Sequence, residues 1–209
     1  GATHHRFPGF AAYEEHAFPA GCEEVGILGW PDLAFANPDC PFADPAFRAL
    51  ALAEVRWAID RLAGRPSVAI ICGNSEIEQQ VAMVGLPREL GQVDFFATEV
   101  PALMEAGGID AIYIPSTPFG GDRPFQTDVG IANYYGVGGY RRPLEDVRQA
   151  GVRFAAECLA FANIPDDDAL ASLEAPVTHQ AGIPVAVGGP AWKAGVPRDN
   201  GAGWDFEDV

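Results

Sequence analysis

The sequence predicts an α/β fold built on a parallel sheet. Short apolar runs alternate along the chain with segments of helical periodicity, which is typical of βα units. The apolar run at 67–71 contains several β-branched residues and predicts a strand buried on both faces. It leads into the turn Gly73-Asn74-Ser75-Glu76, so a carboxylate follows the strand closely. In barrel enzymes the chemistry lies at this end of the strands.

The same patterns assign the other elements in chain order. Strands are predicted at 4–7, 25–30, 67–72, 111–114, 131–137 and 152–158. Helices are predicted at 13–24, 45–62, 76–83, 93–106, 144–150 and 166–173. The 45–62 helix has a suitable N-cap in Asp44 and a first-turn Pro45. Its apolar stripe is expected to include Phe47, Leu50 and Val55.

This alternation fits both a doubly wound sheet and a barrel. No predicted strand is followed by the glycine-rich fingerprint of a nucleotide site. Carboxylates follow or end two of the strands, at Glu76 and Glu157. These two observations favour the barrel, a (β/α)₈ TIM barrel of which this chain supplies part.

Composition excludes several classes of function. The chain has 209 residues, and 13 basic against 29 acidic side chains give a net charge of −16. Nucleic acid is therefore not an expected partner. No apolar run is long enough for a membrane span, and no signal-peptide pattern opens the chain. We expect a cytoplasmic location, although the missing initiator Met indicates that the true N-terminus lies outside this sequence.

The cysteine and histidine pattern predicts neither disulfides nor a metal site. The four cysteines show no paired spacing and are expected to be reduced, with Cys72 and Cys158 buried in strands. Clustered Cys or His ligands are missing, so we expect no metal.

Glu76 and Glu157 suggest glycoside hydrolysis. Paired carboxylates are the usual machinery for cleaving a sugar bond, one protonated to release the leaving group and one ionised. For Glu76 alone, a simpler interpretation is an early helix residue that favours the helix dipole. From the residues alone, the pairing of the two is only a hypothesis.

Five segments together resemble the β-mannosidase branch of glycoside hydrolase family 2. Residues 6–14 match the segment after the second barrel strand, and 25–41 match the third strand. Residues 65–76 match the fourth strand with its acid/base, 116–121 match the exit of the fifth strand, and 153–157 match the seventh strand with its nucleophile. The resemblance covers nearly the whole chain, in the family's order.

The resemblance implies a retaining exo-glycosidase that releases terminal β-D-mannose from β-mannosides without a metal or organic cofactor. Glu76 would be the general acid/base and Glu157 the nucleophile. Arg6 would lie near Glu157 and help to keep it ionised; its alternative is an ordinary salt bridge. Tyr134 or Tyr135 would hydrogen-bond the nucleophile, the other packing as a plain aromatic.

The remaining substrate contacts are expected from Trp30, Asn74 and Ser75. Trp30 would form a wall of the sugar subsite; its alternative is a core aromatic. The family usually has Asn directly before the acid/base, bound to the sugar 2-hydroxyl. Here that position is Ser75, with Asn74 one residue further back. Pro31 and Asn133 also depart from the family pattern, replacing a common Gln and a common His.

The resemblance places residues 1–209 at strands two to seven of the barrel. Strands one and eight, and the β-sandwich domains that precede the barrel in this family, would then lie outside this chain. Alternatives are another family 2 specificity, exo-β-glucosaminidase or β-galactosidase, and a non-catalytic sugar-binding relative. Trp192 and Trp204 would border the pocket or anchor loops. The expected partner is a small carbohydrate, and the sequence does not predict an oligomeric state.

Overall fold

A computed structural model describes residues 3–9, 13, 17–158, 177–178 and 184–185. The described chain divides into two compact units. The larger comprises the described residues up to 133 together with 152–156, and the smaller comprises 134–151 and the described residues from 157 onward. The predicted helix at 166–173 and the residues Trp192 and Trp204 lie outside the described residues.

Strands and helices alternate over the first four strands, as the sequence predicts, and the fifth strand follows the fourth without an intervening helix. The strands are β1 His4–Phe7, β2 Leu28–Pro31, β3 Ile70–Cys72, β4 Ile112–Ile114, β5 Ala132–Tyr134, β6 Ala155–Cys158, β7 Val177–Thr178 and β8 Pro184–Val185. The helices are α1 Ala17–Val25, α2 Pro45–Leu62, α3 Ile77–Met83, α4 Val100–Ala106 and α5 Asp146–Gln149. A short 3₁₀ turn spans Arg88–Leu90, and a π-helical turn spans Phe95–Glu99.

The first four strands run parallel and follow one another in chain order. β1 pairs with β2 and β3 with β4, both in parallel. Single parallel bridges, Gly29 with Val68 and Asp32 with Cys72, connect β2 to β3. The carboxyl ends of these strands therefore meet at one edge, which is where the candidate site residues Arg6 and Glu76 lie.

Helix α2 shows how the sequence specifies its own boundaries. The Asp44 side chain accepts a hydrogen bond from the Ala46 amide at 2.8 Å, as expected for an N-cap. Ala51, Val55, Ala58 and Ile59 form the buried face. Leu50, predicted in the apolar stripe, is instead 72% exposed because it lies next to that face rather than on it.

The boundary of one predicted strand and the exposure of one cysteine differ from the sequence prediction. The strand predicted from 25 begins at Leu28, because α1 continues to Val25 and is followed by Gly26, whose φ of +72° stops the helix. All four cysteines carry free thiols. Cys158, predicted as buried, is exposed at the last residue of β6, whereas Cys72 is fully buried. Burial raises the pKa of the Cys72 thiol.

Two apolar clusters hold the larger unit together. The main one packs α2 and α4 on the sheet around Phe35, Phe42, Phe95 and Phe96, whose rings lie 4.8–5.7 Å apart at their centroids. The second cluster consists of Trp30, Cys72 and Ile114, with Ile70, Ile131 and Ala156 packed against it. It collects side chains from β2, β3, β4 and β6 and from Ile131, next to β5. Among the described residues, no helix is long and apolar enough to cross a membrane.

A partly buried carboxylate in α3 predicts a pH-dependent stability. Burial raises the pKa of Glu78, opposed by the neighbouring Arg88. An acid whose pKa is raised on folding binds its proton more tightly in the folded state. Its ionised form therefore lowers the free energy of unfolding at a pH above that pKa, and this loss of stability disappears as the pH falls. Glu78→Gln should therefore raise the melting temperature at pH 7 but not at pH 4. Glu105→Gln, at an exposed position of α4, is the control, and equal shifts for both variants would contradict the prediction.

Candidate active site

Glu76 has an unusual backbone conformation. It precedes α3 as its N-cap, with φ 64° and ψ 5°, in the left-handed region. This conformation costs a non-glycine residue on the order of 1–2 kcal/mol and is concentrated at functional sites. The surroundings hold it in place, since the amide of Glu76 donates to Thr117 O at 2.8 Å and the amide of Ser75 donates to Phe35 O at 2.8 Å.

The strain at Glu76 gives a stability prediction of unusual sign. Glu76→Gly should be more stable than Glu76→Ala by about 1 kcal/mol, because glycine adopts a positive φ without steric cost. Both variants lose the carboxylate, so the difference isolates the backbone. At Arg56, an exposed position in α2, alanine should instead be more stable than glycine by about 1 kcal/mol. Urea unfolding of the four variants measures both differences, and the same order at both positions would refute the strain.

Two amide side chains donate to a single oxygen of Glu76. Asn133 Nδ2 lies 2.6 Å and Gln79 Nε2 lies 2.8 Å from Glu76 Oε1. Gln79 is three residues further along α3 and so lies on the same face of the helix. Both donors are neutral, and they orient the carboxyl group without adding a charge beside it.

Arg6, Asp32 and Ser75 form a buried network at the ends of β1, β2 and β3. Arg6 Nη2 lies 2.5 Å from Asp32 Oδ2 and 2.9 Å from Ser75 Oγ, and the Ser75 hydroxyl donates to Asp32 Oδ2 at 3.0 Å. The Asp32 side chain has no exposed surface and that of Arg6 is 10% exposed. The salt bridge considered as the alternative for Arg6 is therefore present, and it ties Ser75 to the strand ends.

The side chain of Asn74, predicted as a substrate contact, forms hydrogen bonds within the protein. Its side chain donates from Nδ2 to Pro115 O at 2.8 Å, and its Oδ1 accepts from Ser116 Oγ at 2.7 Å and from the Ile77 amide at 3.2 Å. The residue is 1% exposed. These bonds fix the turn after β3 to the end of β4 and satisfy the first turn of α3. Gly73 is required there, since a Cβ would lie 2.6 Å from Pro115 O.

Trp30 is 3% exposed and packs within the second apolar cluster. The Trp30 ring centroid lies 5.8 Å from that of Phe154 and 6.0 Å from Arg6 Cζ. The core aromatic considered as the alternative is thus seen. Within the described part of the chain, however, its indole Nε1 is buried and has no hydrogen-bond partner.

In the smaller unit, Tyr135 and Glu157 are in contact. The Tyr135 hydroxyl donates to Glu157 Oε2. The Tyr134 hydroxyl donates instead to Asp146 Oδ2 at 2.5 Å. Burial and this hydrogen bond raise the pKa of Tyr134. The two tyrosines thus differ in partner, and Tyr135 is the one that contacts the predicted nucleophile.

The candidate residues are divided between the two units. Arg6, Trp30, Asn74, Ser75 and Glu76 belong to the larger, and Tyr134, Tyr135 and Glu157 to the smaller. The pairing of Glu76 with Glu157 therefore stays a prediction. No group of three or more potential metal ligands occurs among the described residues.

Sequence reasoning missed three residues of this site. Gln79 has a detectable signal, since a position three residues after Glu76 on a helix must share its face. Asp32 ends the β2 run, just as Glu76 follows β3. Asn133 was noticed only as a departure from a family pattern. Its contact with Glu76 depends on tertiary structure and has no local signal.

The chain is similar to β-mannosidases in sequence and in fold. No family model matches it. The β-mannosidase of Rattus norvegicus is 28% identical over 145 residues, 61% of this chain and 16% of that protein. β-Mannosidase B of Thermothelomyces thermophilus is 34% identical over 118 residues, 53% of this chain and 14% of that protein. The crystal structure of a β-D-mannosidase from Dictyoglomus thermophilum matches with a TM-score of 0.70 and 24% identity, over 82% of this chain and 21% of that one.

The chain is a β-mannosidase-like family member. The resemblance drawn from the five sequence segments is thereby confirmed. The structural match shows that the chain has the fold of part of the Dictyoglomus β-D-mannosidase. The chain spans less than a quarter of the length of each of these three β-mannosidases.

Proposed function

We propose that this β-mannosidase-like chain forms the catalytic part of a retaining exo-β-mannosidase of glycoside hydrolase family 2. Its six strands from β1 to β6 would be strands two to seven of a (β/α)₈ barrel. Terminal β-D-mannose would be released from small β-mannosides by double displacement. The whole protein would act on this carbohydrate without metal or organic cofactor.

The observation that carries the proposal is the conformation and setting of Glu76. A carboxylate held in the left-handed region at the end of a central parallel strand, with two amides on one oxygen, is positioned at a cost to stability. Such strain is expected where a side chain must be aimed. The sequence resemblance independently assigns Glu76 the role of the acid/base.

The second apolar cluster supports a barrel. Side chains from β2, β3, β4 and β6, together with Ile131 next to β5, meet in one small cluster around Trp30. Inward-facing residues of several strands converge in this way at the axis of a barrel. In an open sheet, residues of strands this far apart in chain order would lie side by side along a face. The parallel chain order of β1 to β4 agrees with the same arrangement.

The proposed chemistry assigns one role to each carboxylate. Glu157 attacks the anomeric carbon while Glu76 gives a proton to the departing oxygen, and Glu76 then takes a proton from the water that releases mannose. The Tyr135 hydroxyl, which donates to Glu157 Oε2, would orient the nucleophile. Retention requires the carboxyl groups of Glu76 and Glu157 to lie about 5–5.5 Å apart, whereas about 9 Å would indicate inversion. A crystal structure of the full-length protein measures this separation.

The test of the function uses the full-length protein and 4-nitrophenyl β-glycosides of mannose, glucosamine and galactose. We expect the highest kcat/KM with the β-mannoside, and proton NMR should show β-mannose as the first-formed product. Preference for the glucosaminide or galactoside would assign another specificity. First formation of α-mannose would refute retention. Binding of mannosides without turnover by the intact protein would favour the sugar-binding relative.

A further inference from the structure

Of the two polar atoms in the Asn133 side chain, only one forms a hydrogen bond within the described residues. Nδ2 donates to Glu76 Oε1 at 2.6 Å. Oδ1 is buried and accepts no hydrogen bond from the residues that the structure describes. The residue as a whole is buried, with 8% of its surface exposed. A buried carbonyl oxygen left without a donor is costly, so its presence in a native site calls for an explanation.

The position of Asn133 on β5 places it beside the proposed sugar site. Side chains two residues apart on a strand point to the same face. Ile131 packs on the cluster around Trp30, so Asn133 follows it on that face, one step closer to the carboxyl end of the strand. Asn133 also reaches Glu76, which follows β3. Its free acceptor therefore lies in the region where a substrate of Glu76 must bind.

We propose that Asn133 is a substrate-binding and positioning residue: Nδ2 fixes Glu76 and Oδ1 accepts a hydrogen bond from a hydroxyl group of the bound sugar. This inference rests on the proposed glycosidase function. An amide is suited to both tasks because it donates and accepts at once. A hydroxyl donor from the sugar would satisfy the oxygen that the protein leaves unsatisfied.

The two contacts on Glu76 Oε1 distinguish this oxygen from Oε2 in the proposed proton exchange. Oε1 accepts from both Asn133 and Gln79, and neither amide N–H can accept a proton in return. Within the proposed mechanism, the exchanged proton is therefore assigned to Oε2. In the first step the Oε2–H bond breaks as the proton joins the leaving-group oxygen, which keeps the electron pair of its broken bond to C1, while Glu157 forms a bond to C1. In the second step water replaces Glu157 on C1, and its proton returns to Oε2.

Matched variants separate the two tasks of Asn133. Gln79→Leu removes a donor from Glu76 Oε1 and leaves the Asn133 acceptor in place, whereas Asn133→Leu removes both a donor and the acceptor. Each variant should shift the basic limb of the pH profile of kcat/KM upward by about one pH unit, because donors to a carboxylate favour its ionised form. A residue that only supports the fold would not move this limb. Circular dichroism and melting establish that both variants fold.

The sugar contact is tested with 4-nitrophenyl β-mannoside and its 2-, 3-, 4- and 6-deoxy analogues. We expect Asn133→Leu to lose roughly 10- to 100-fold more in kcat/KM than Gln79→Leu on the full substrate. The extra loss should vanish for the one deoxy analogue that lacks the partner hydroxyl. An equal loss on all five substrates would overturn the sugar contact, and an unmoved pH limb would overturn the positioning role.

A second measurement keeps the inference distinct from the proposed function. In a carbon-13 NMR titration, the signal of the Glu76 carboxyl is identified by its absence in Glu76→Gln. Asn133→Leu should raise the pKa of this carboxyl. Calorimetry with methyl β-D-mannoside should show weaker binding to Asn133→Leu than to Gln79→Leu. If the intact protein hydrolyses no β-glycoside, the proposed function fails while these two readouts still decide the role of Asn133. An unchanged titration together with equal binding would refute it.

Discussion

Replacing Glu157 with alanine in the full-length protein is expected to reduce hydrolysis of 4-nitrophenyl β-mannoside by at least ~10⁴-fold. The reason is that a retaining glycosidase cannot form its glycosyl-enzyme intermediate without the nucleophile. Losses of this size are typical when an attacking group is removed. Glu145→Ala is the matched control, because this carboxylate belongs to the same unit and is exposed. It should retain activity close to that of the wild type.

Azide distinguishes the role of Glu157 from a structural one. In Glu157→Ala, azide should restore part of the turnover by attacking C1 from the side that the carboxylate has vacated. The product should be the α-mannosyl azide, since a single displacement on a β-mannoside inverts C1. Recovery of hydrolysis without an azide adduct would argue against Glu157 as the nucleophile.

Glu76→Ala should behave differently in the same assay. Substrates whose leaving groups need little protonation, such as 2,4-dinitrophenyl β-mannoside, should remain partly active because the first step does not depend on an acid. Poor leaving groups should lose most of their rate. If Glu76→Ala instead gave the α-azide and Glu157→Ala the dependence on leaving group, the two roles would be exchanged.

The sequence was sufficient to predict elements whose signals are local. Helix α2 begins at Pro45 and ends at Leu62 as predicted, because Asp44 caps it and Gly64 with φ +70° follows its end. The alternation of strands and helices likewise depends on periodicity within short segments. Boundaries were less accurate where one element continues into another, as at Val25.

The sequence was less informative about contacts between distant segments. Nothing local to Asn133 indicates that it donates to Glu76, 57 residues away in the chain. Similarly, the sequence predicts Arg6 beside Glu157 and Ser75 as a substrate contact, and gives no sign that both also contact Asp32. Such networks arise from the register of parallel strands, which local sequence patterns alone do not reveal.

Among the stability variants proposed for this protein, replacement of Asp32 is expected to lower the free energy of unfolding most. Asp32→Asn removes a negative charge that is paired with the buried guanidinium of Arg6, and breaking a buried ion pair typically costs about 3–5 kcal/mol. Its geometry is consistent with a cost in this range, since Arg6 Nη2 lies 2.5 Å from Oδ2 and Arg6 Nε lies 3.3 Å from Oδ1. The asparagine keeps the shape of the side chain, so packing changes little.

The control for Asp32 is the pair formed by Arg65 and Glu23, separated by 3.5 Å with about a quarter of each side chain exposed. Glu23→Gln should cost less than about 1 kcal/mol, because the two charged groups are 3.5 Å apart and solvent still reaches both side chains. Urea unfolding of the two variants measures the contrast. The double replacement Arg6→Met with Asp32→Leu should recover part of the loss, since it removes both charges of this ion pair. Equal costs for Asp32→Asn and Glu23→Gln would show that solvent reaches the Arg6–Asp32 pair, and the network at the strand ends would then not be the rigid support for Ser75 that its geometry indicates.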